Sequence, residues 1–255
     1  MELSLEKKKV IITGSSRGIG LAIADSFLRE KALVCLTAKN KDNLMHAKHK
    51  LEKKYGKDKI LAFVCDFTNL DEVEKIKVKI KKKWKKFDFL ILNIGSGKGT
   101  PSVIPKINDL KKSFDQNFFS SMYPLSSFQS LINPSGSIIF ISSIAGEEFL
   151  GAPIEYSVAK SSIISLAKNL SWVCKNNIRV NVISPGNIFF KGGTWDKKKK
   201  KNPSLVRKIL KEKVPLQRFG KPEEVANLVT YVCSDKASFI NGAVIRIDGG
   251  QTVKI

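Results

Sequence analysis

One stretch near the start of the chain limits the fold more than any other. Val10-Ile-Ile-Thr13 is a β-branched run that reads as a strand. It leads straight into Gly14-Ser-Ser-Arg-Gly18-Ile-Gly20 and then into the helical pattern Leu21-Ala-Ile-Ala-Asp-Ser-Phe27-Leu28. A glycine-rich turn between a strand and a helix lets backbone N–H groups approach a pyrophosphate, and the helix N-terminus favours the anion. The spacing here is G-x-x-x-G-x-G, and three glycines can also serve as a purely structural turn. Downstream, apolar runs at 33–37, 60–65, 87–92, 137–141, 179–183 and 243–247 read as further strands with helical patterns between them. Such alternation predicts an α/β fold, with one doubly wound parallel sheet of about seven strands flanked by helices and one domain over 1–255. Ligands in such sheets bind beyond the carboxyl ends of the strands, and the polar motifs described below all fall there.

At 255 residues and 42% hydrophobic content the chain can bury a large core, and no apolar run approaches the roughly 20 residues that span a bilayer. The start, Met1-Glu-Leu-Ser-Leu-Glu-Lys-Lys-Lys9, carries acids and no long apolar region, so it does not read as a signal peptide. The expected location is cytoplasmic. Cys35, Cys65, Cys174 and Cys233 are widely spaced and His46 and His49 sit in a lysine-rich helix, so reduced thiols and no metal site are expected. The net charge is +22, but only six of the 45 basic residues are arginine. Around 73–84 the apolar stripe Val73, Ile76, Ile80 and Trp84 leaves the lysines on the other faces, as on a solvated helix. Such a charge attracts phosphates non-specifically, yet no nucleic-acid-binding module is present.

The chemistry centres on Ser142-Ser143 and Tyr156-Ser-Val-Ala-Lys160. On a helix, Tyr156 and Lys160 share one face, and Ser143 lies thirteen residues upstream of Tyr156, just after the strand at 137–141. A phenol, an ammonium and a hydroxyl at a strand end can protonate a carbonyl oxygen, provided the positive charge makes the phenol acidic enough. Alternatively, the Tyr and Lys are incidental neighbours on a surface helix. At the end of the second strand, Ala38 offers no carboxylate for a ribose 2′-hydroxyl, while Lys39 follows and Arg17 can approach the same point. Two cations favour a 2′-phosphate, hence NADP(H) over NAD(H), although Lys39 is one lysine among many.

Over nearly its whole length the chain resembles the short-chain dehydrogenase/reductase family, with its Rossmann-type sheet. The resemblance rests on residues 13–20, Asp66, 93–95, Asn117, Ser143, Tyr156 with Lys160, Pro185-Gly186, Arg218-Phe-Gly-Lys-Pro222-Glu-Glu-Val-Ala226 and Asp248-Gly-Gly250. It implies Tyr156 as general acid/base and Lys160 as the group that lowers its pKa and binds the nicotinamide ribose. Ser143 would hold the substrate oxygen, and Asn117 would fix a helix distortion and a proton-relaying water. Ser142 is the rival serine, and the family's spacing selects Ser143. Implied cofactor contacts are Gly14, Ser16, Arg17, Gly18, Ile19, Gly20, Lys39, Asp66, Phe67, Asn93, Gly95, Tyr156, Lys160, Pro185, Gly186 and Ile188. A homotetramer is implied as well. Where the family has Asn-Asn-Ala-Gly, this chain has Leu92-Asn93-Ile94-Gly95, which puts the pocket floor in question.

The substrate is the least constrained. Ser96, Ala145, Phe149, Asn187, Phe190 and Trp195 are the candidate contacts, and the segment at about 187–213 is the expected lid, with a polar loop at 192–203 and a short helix at 205–210. Phe189, Phe190 and Trp195 suggest an apolar lid, Lys197 to Lys201 an anionic or carrier-bound substrate, and Glu147 and Glu148 oppose that charge. The leading expectation is reduction of a 3-oxoacyl thioester, with a sugar or nucleotide-sugar oxidoreductase as the alternative. A non-catalytic dinucleotide sensor would need the glycine loop but not Ser143, Tyr156 and Lys160 together.

Overall fold

The computed structural model describes residues 2–99 and 103–253. Seven strands form one parallel sheet: β1 (Lys9–Ile12), β2 (Leu33–Ala38), β3 (Ile60–Val64), β4 (Phe87–Leu92), β5 (Ile132–Ile141), β6 (Arg179–Pro185) and β7 (Val244–Ile247). Their order is β3-β2-β1-β4-β5-β6-β7, so the winding reverses between β1 and β4. That reversal opens a crevice at the carboxyl ends, directly beyond the glycine turn.

Alternation along each strand divides the core. Val10 and Ile12 of β1, with Phe89 and Ile91 of β4 and Ile139 and Ile141 of β5, face one apolar cluster. Ile11, Leu90, Leu92, Ile138 and Phe140 face the other. Helices α1 (Gly18–Arg29) and α9 (Pro222–Cys233) pack together on the first face, where Thr230 Oγ1 meets Ser26 Oγ at 2.9 Å. On the second, α3 (Leu70–Trp84) contributes Val73, Ile76 and Ile80, beside α5 (Ser120–Phe128) and α6 (Ile154–Val173). The lysines of α3 lie outside this stripe, in solvent. The remaining helices are α2 (Lys41–Tyr55), α4 (Ile107–Phe114), α7 (Thr194–Lys201) and α8 (Pro203–Lys213).

The expected polar loop at 192–203 is instead helical, because α7 fills most of it. Lysine is a good helix former, and Asp196 in the first turn accepts the Gly192 N–H at 2.9 Å while pairing with Lys200 at 3.0 Å. Asn202 then caps α8 by accepting the Leu205 N–H at 3.0 Å, with Pro203 in its first turn. Gly192-Gly193 and Asn202-Pro203 therefore punctuate two helices. The short helix expected at 205–210 belongs to the longer α8.

The anchor of α1 is Phe27, fully buried with its ring 5.7 Å from that of Phe89. Phe27→Ala should cost about 3–5 kcal/mol in urea unfolding, and a loss below about 1 kcal/mol would show that α1 is held by other contacts.

Candidate active site

Three strand ends assemble the site. Where β5 ends, the two serines separate. Ser142 is buried, and its Oγ donates to the Lys160 carbonyl at 2.9 Å. Ser143 caps the short turn 144–146, accepting the Ala145 N–H at 3.2 Å, and it shares the cleft wall with Tyr156. Lys160, also buried, donates from Nζ to the Ile141 carbonyl at 2.9 Å. The turn after Ser143 lies directly on α6: a Cβ on Gly146 would come within 2.7 Å of the Lys160 carbonyl carbon.

From β4, Asn93 staples the glycine turn to the strand end. Its Nδ2 donates to the Thr13 and Gly14 carbonyls, both at 3.1 Å, and its N–H donates to Thr13 Oγ1 at 2.9 Å. Leu92 is buried in the core, and Ile94 packs against Gly14, closing the pocket floor where the family pattern is broken. Gly95 is required because a Cβ there would sit 2.8 Å from Lys160 Nζ and 3.1 Å from Asn117 Oδ1. Asn117 is fully buried in a π turn, Asp115–Phe119, between α4 and α5. Its Oδ1 accepts the Ser96 N–H at 2.8 Å, and its Nδ2 reaches the Ser96 and Ser113 carbonyls.

The turn itself is a cradle that side chains would fill. A Cβ on Gly20 would lie 2.5 Å from the Gly14 carbonyl oxygen and 2.6 Å from Asn93 Nδ2. Gly18 adopts φ +56°, and its open face is covered by the Phe190 ring, which also lies against Gly193. This backbone cradle at the N-terminus of α1 fits a dinucleotide pyrophosphate.

Together these elements line a cleft of about 1340 Å³. Ser16, Arg17, Ile19, Lys39, Asp66, Phe67, Ser96, Ala145, Phe149, Pro185, Gly186, Asn187, Ile188, Phe190 and Trp195 all reach its wall, with Ser143, Tyr156 and Lys160. Gly18, Gly20 and Asn117 support it from behind.

Several side chains are engaged differently from expectation. Lys39 forms an ion pair with Asp66, which also accepts the Thr68 hydroxyl at 2.8 Å. Burial pushes the Asp66 carboxyl up, but Lys39 and Thr68 outweigh it and hold the group below its usual range. Arg17 Nη1 lies 3.8 Å from where a Gly192 Cβ would stand, so this cation reaches the 187–213 segment. Trp195 packs on Phe219 with ring centroids 5.4 Å apart, and Lys198 sits over its ring at 4.7 Å. Glu147 and Glu148 turn away from the cleft: Glu147 pairs with Arg246 of β7 at 2.7 Å, and Glu148 accepts the Val253 N–H at 3.2 Å. Residues not anticipated include Gln251, Lys98 and Lys112 on the cleft wall. Gln251 follows β7, so the rule that strand-end loops line the crevice could have found it.

A family model described as Enoyl-(Acyl carrier protein) reductase matches residues 14–252. A tropinone reductase homologue of Arabidopsis thaliana is 33% identical over 257 residues, covering 98% of this chain and 93% of that protein. The 3-oxoacyl-[acyl-carrier-protein] reductase FabG of Thermotoga maritima is 30% identical over 260 residues, covering 98% and 100%. The chain belongs to the short-chain dehydrogenase/reductase family. It is an oxidoreductase acting on alcohol and carbonyl groups. Among solved structures, L-sorbose reductase from Gluconobacter frateurii, complexed with NADPH and L-sorbose, superposes with TM-score 0.93 at 28% identity over the whole of both chains.

In this short-chain dehydrogenase/reductase, burial sets the electrostatics of the tyrosine and lysine. Desolvation lowers Lys160 to about 8. It also raises the Tyr156 phenol, against the smaller opposing pull of the nearby Ser143 hydroxyl. In this arrangement the Lys160 ammonium is directed at the Ile141 carbonyl, and desolvation outweighs what lowers the Tyr156 phenol.

Lys160 titrates near 8 when folded against 10.5 ordinarily, so within that window the unfolded chain binds more protons and stability rises with pH. In urea unfolding without cofactor, wild type should gain stability relative to Lys160→Met between about pH 8 and 10. A constant difference across that range would show that Lys160 is not desolvated.

Proposed function

We propose that the protein is NADP(H)-dependent and interconverts a carbonyl group and a secondary alcohol at Ser143, Tyr156 and Lys160. The observation that carries the reading is the meeting, at the end of β5, of Ser143 and Tyr156 on one cleft wall with a buried Lys160 one helical turn along. The dinucleotide supplies the hydride. Tyr156 gives its proton to the carbonyl oxygen in reduction and recovers it in oxidation. Ser143 donates to that oxygen and steadies the charge that develops there. Because burial raises Tyr156, a phenolate needs a nearby cation, and Lys160, one helical turn along, is the group in place to supply it. Asn117 acts through position, holding Ser96 beside Gly95 and Lys160.

For the cofactor, the end of β2 presents Ala38, Lys39, Asn40 and Asn43 to the cleft, with no carboxylate of its own. Lys39 is highly exposed, and an exposed ion pair with Asp66 opens at little cost, leaving a cation for a 2′-phosphate. L-sorbose reductase is a relative seen with NADPH. The 187–213 segment would serve as the lid. Four unpaired cysteines, three of them buried, fit a reducing compartment such as the cytoplasm. Among the described residues, no helix is long and apolar enough to cross a membrane.

Two substrate classes follow from the relatives. A 3-oxoacyl thioester is the substrate in the name of the FabG relatives, and exposed Lys98, Lys112, Lys198 and Lys213 on the cleft wall suit an anionic handle. A sugar is the substrate in the L-sorbose reductase complex. NADPH consumption with an acetoacetyl thioester and with hexuloses tests the reading. Tyr156→Phe should lower turnover by about 10²-fold or more while NADP binding stays within a few-fold; retained activity would contradict the acid/base role. Lys39→Asp should shift preference towards NADH, and an unchanged cofactor ratio would remove Lys39 from 2′-phosphate recognition.

A homotetramer is also proposed. Ile107 on α4 and Ile154 and Val158 on the adjacent α6 are exposed apolar side chains, as are Trp172, Phe239 and Val253 elsewhere. Light scattering should give a mass about four times 28.4 kDa, and a value near one chain would contradict it.

A further inference from the structure

Of the three aromatic residues in the 187–213 segment, two anchor it and one does not. Phe189 and Trp195 pack on Phe219, with ring centroids 5.3 and 5.4 Å away. The backbone beside them is tied down too: the Phe189 N–H donates to the Gly220 carbonyl at 2.9 Å, and the Gly220 N–H donates to the Asn187 carbonyl at 3.0 Å. Phe190 turns the other way, onto the glycine turn. A tight turn follows it, closed by the Gly193 N–H donating to the Phe190 carbonyl at 3.0 Å, with Gly192 at φ +80°. The tip of the Phe190 ring enters a slot that exists because two Cβ atoms are missing. A Cβ on Gly18 would stand 2.7 Å from Phe190 Cζ, and one on Gly193 would stand 2.9 Å from the same atom.

Gly18 is the first residue of α1. The first N–H groups of a helix have no partner within it, which is why this cradle suits a pyrophosphate. A phenyl ring offers those groups no oxygen, and it fills space that an anion in contact with Gly18 would need. Accordingly Gly14, Ser16, Arg17 and Ile19 reach the cleft wall, whereas Gly18 among them is covered. Ring and pyrophosphate are alternative occupants of one face. We infer that Phe190 is a gate on the cofactor site, and that a dinucleotide binds fully only when the ring has left the slot between Gly18 and Gly193. This rests on the reading of the glycine turn as the dinucleotide site. The ring can leave by rotating about its own side-chain bonds, because the residues on either side are held by Phe219 and Gly220.

Calorimetric titration of NADPH into wild type and Phe190→Ala tests this without relying on turnover. A gate that is mostly closed lowers the apparent affinity by the fraction of time it is open, so Phe190→Ala should bind NADPH at least about fivefold more tightly. The gain should be absent for 2′-AMP, which carries no pyrophosphate and needs nothing from Gly18. Gly193→Ala gives a second handle, because its added Cβ pushes the ring from the slot while leaving Phe190 in the chain. It should tighten NADPH binding in wild type and change nothing in Phe190→Ala. Unchanged or weaker NADPH binding in Phe190→Ala would overturn the inference. So would an equal gain for 2′-AMP, or a Gly193→Ala effect that is the same in both backgrounds. If neither wild type nor Phe190→Ala binds NADPH, the cofactor reading falls and the gate with it. If wild type binds and Phe190→Ala gains nothing, the gate alone falls.

Discussion

Two hydrogen bonds hold the end of β5 to the second turn of α6, and the rest of the site depends on them. Ser142 Oγ donates to the Lys160 carbonyl, and Lys160 Nζ donates back to the Ile141 carbonyl. Between them they fix the helix face that carries Tyr156 above the turn that carries Ser143. Both bonds are buried, where a hydrogen bond is electrostatically stronger than in water and an unpaired group costs more. Two nearby glycines answer to the same geometry. Gly95 leaves room for the Lys160 ammonium, and Gly146 lets the post-serine turn rest on the helix backbone. The price is a lysine kept out of water, with its pKa lowered to about 8.

This staple connects to the dinucleotide side through β4. Asn93 ties the glycine turn to the strand end, and Gly95, two residues on, touches both Lys160 and Asn117. A cofactor on the glycine turn and a substrate at Tyr156 would therefore share one wall, built on strands at the point where the sheet reverses. The 187–213 segment joins that wall from outside through Phe190 on Gly18, so that glycine turn and segment are in direct contact.

Much of this was legible in the sequence, for physical reasons. Buried parallel strands are continuous apolar runs, so 87–92 was placed to the residue, and the glycine turn announces both the strand before it and the helix after it. Tyr156 and Lys160 share a helix face by period alone. What stayed hidden depends on long-range packing. The different tasks of Ser142 and Ser143 follow from burial against α6, which no local pattern encodes. A run of five lysines with flanking glycines read as a loop, although Asp196 binds Gly192 and Lys200 locally; of the contacts that support α7, the packing of Trp195 on Phe219 comes from its tertiary setting. Lys39 and Arg17 lie on the cleft, but their partners, Asp66 and the Gly192 region, are distant in sequence. Gln251 was missed because its place on the cleft wall depends on β7 lying beside β6.

The most direct test separates the two serines by measuring turnover and urea unfolding for Ser142→Ala and Ser143→Ala side by side. If Ser143 meets the reacting oxygen and Ser142 holds the helix, Ser143→Ala should lose about 10²-fold or more in kcat with its unfolding midpoint unchanged. Ser142→Ala should lose roughly 1–3 kcal/mol of stability and keep most of its turnover. The reverse pattern, with turnover lost in Ser142→Ala and kept in Ser143→Ala, would contradict the account.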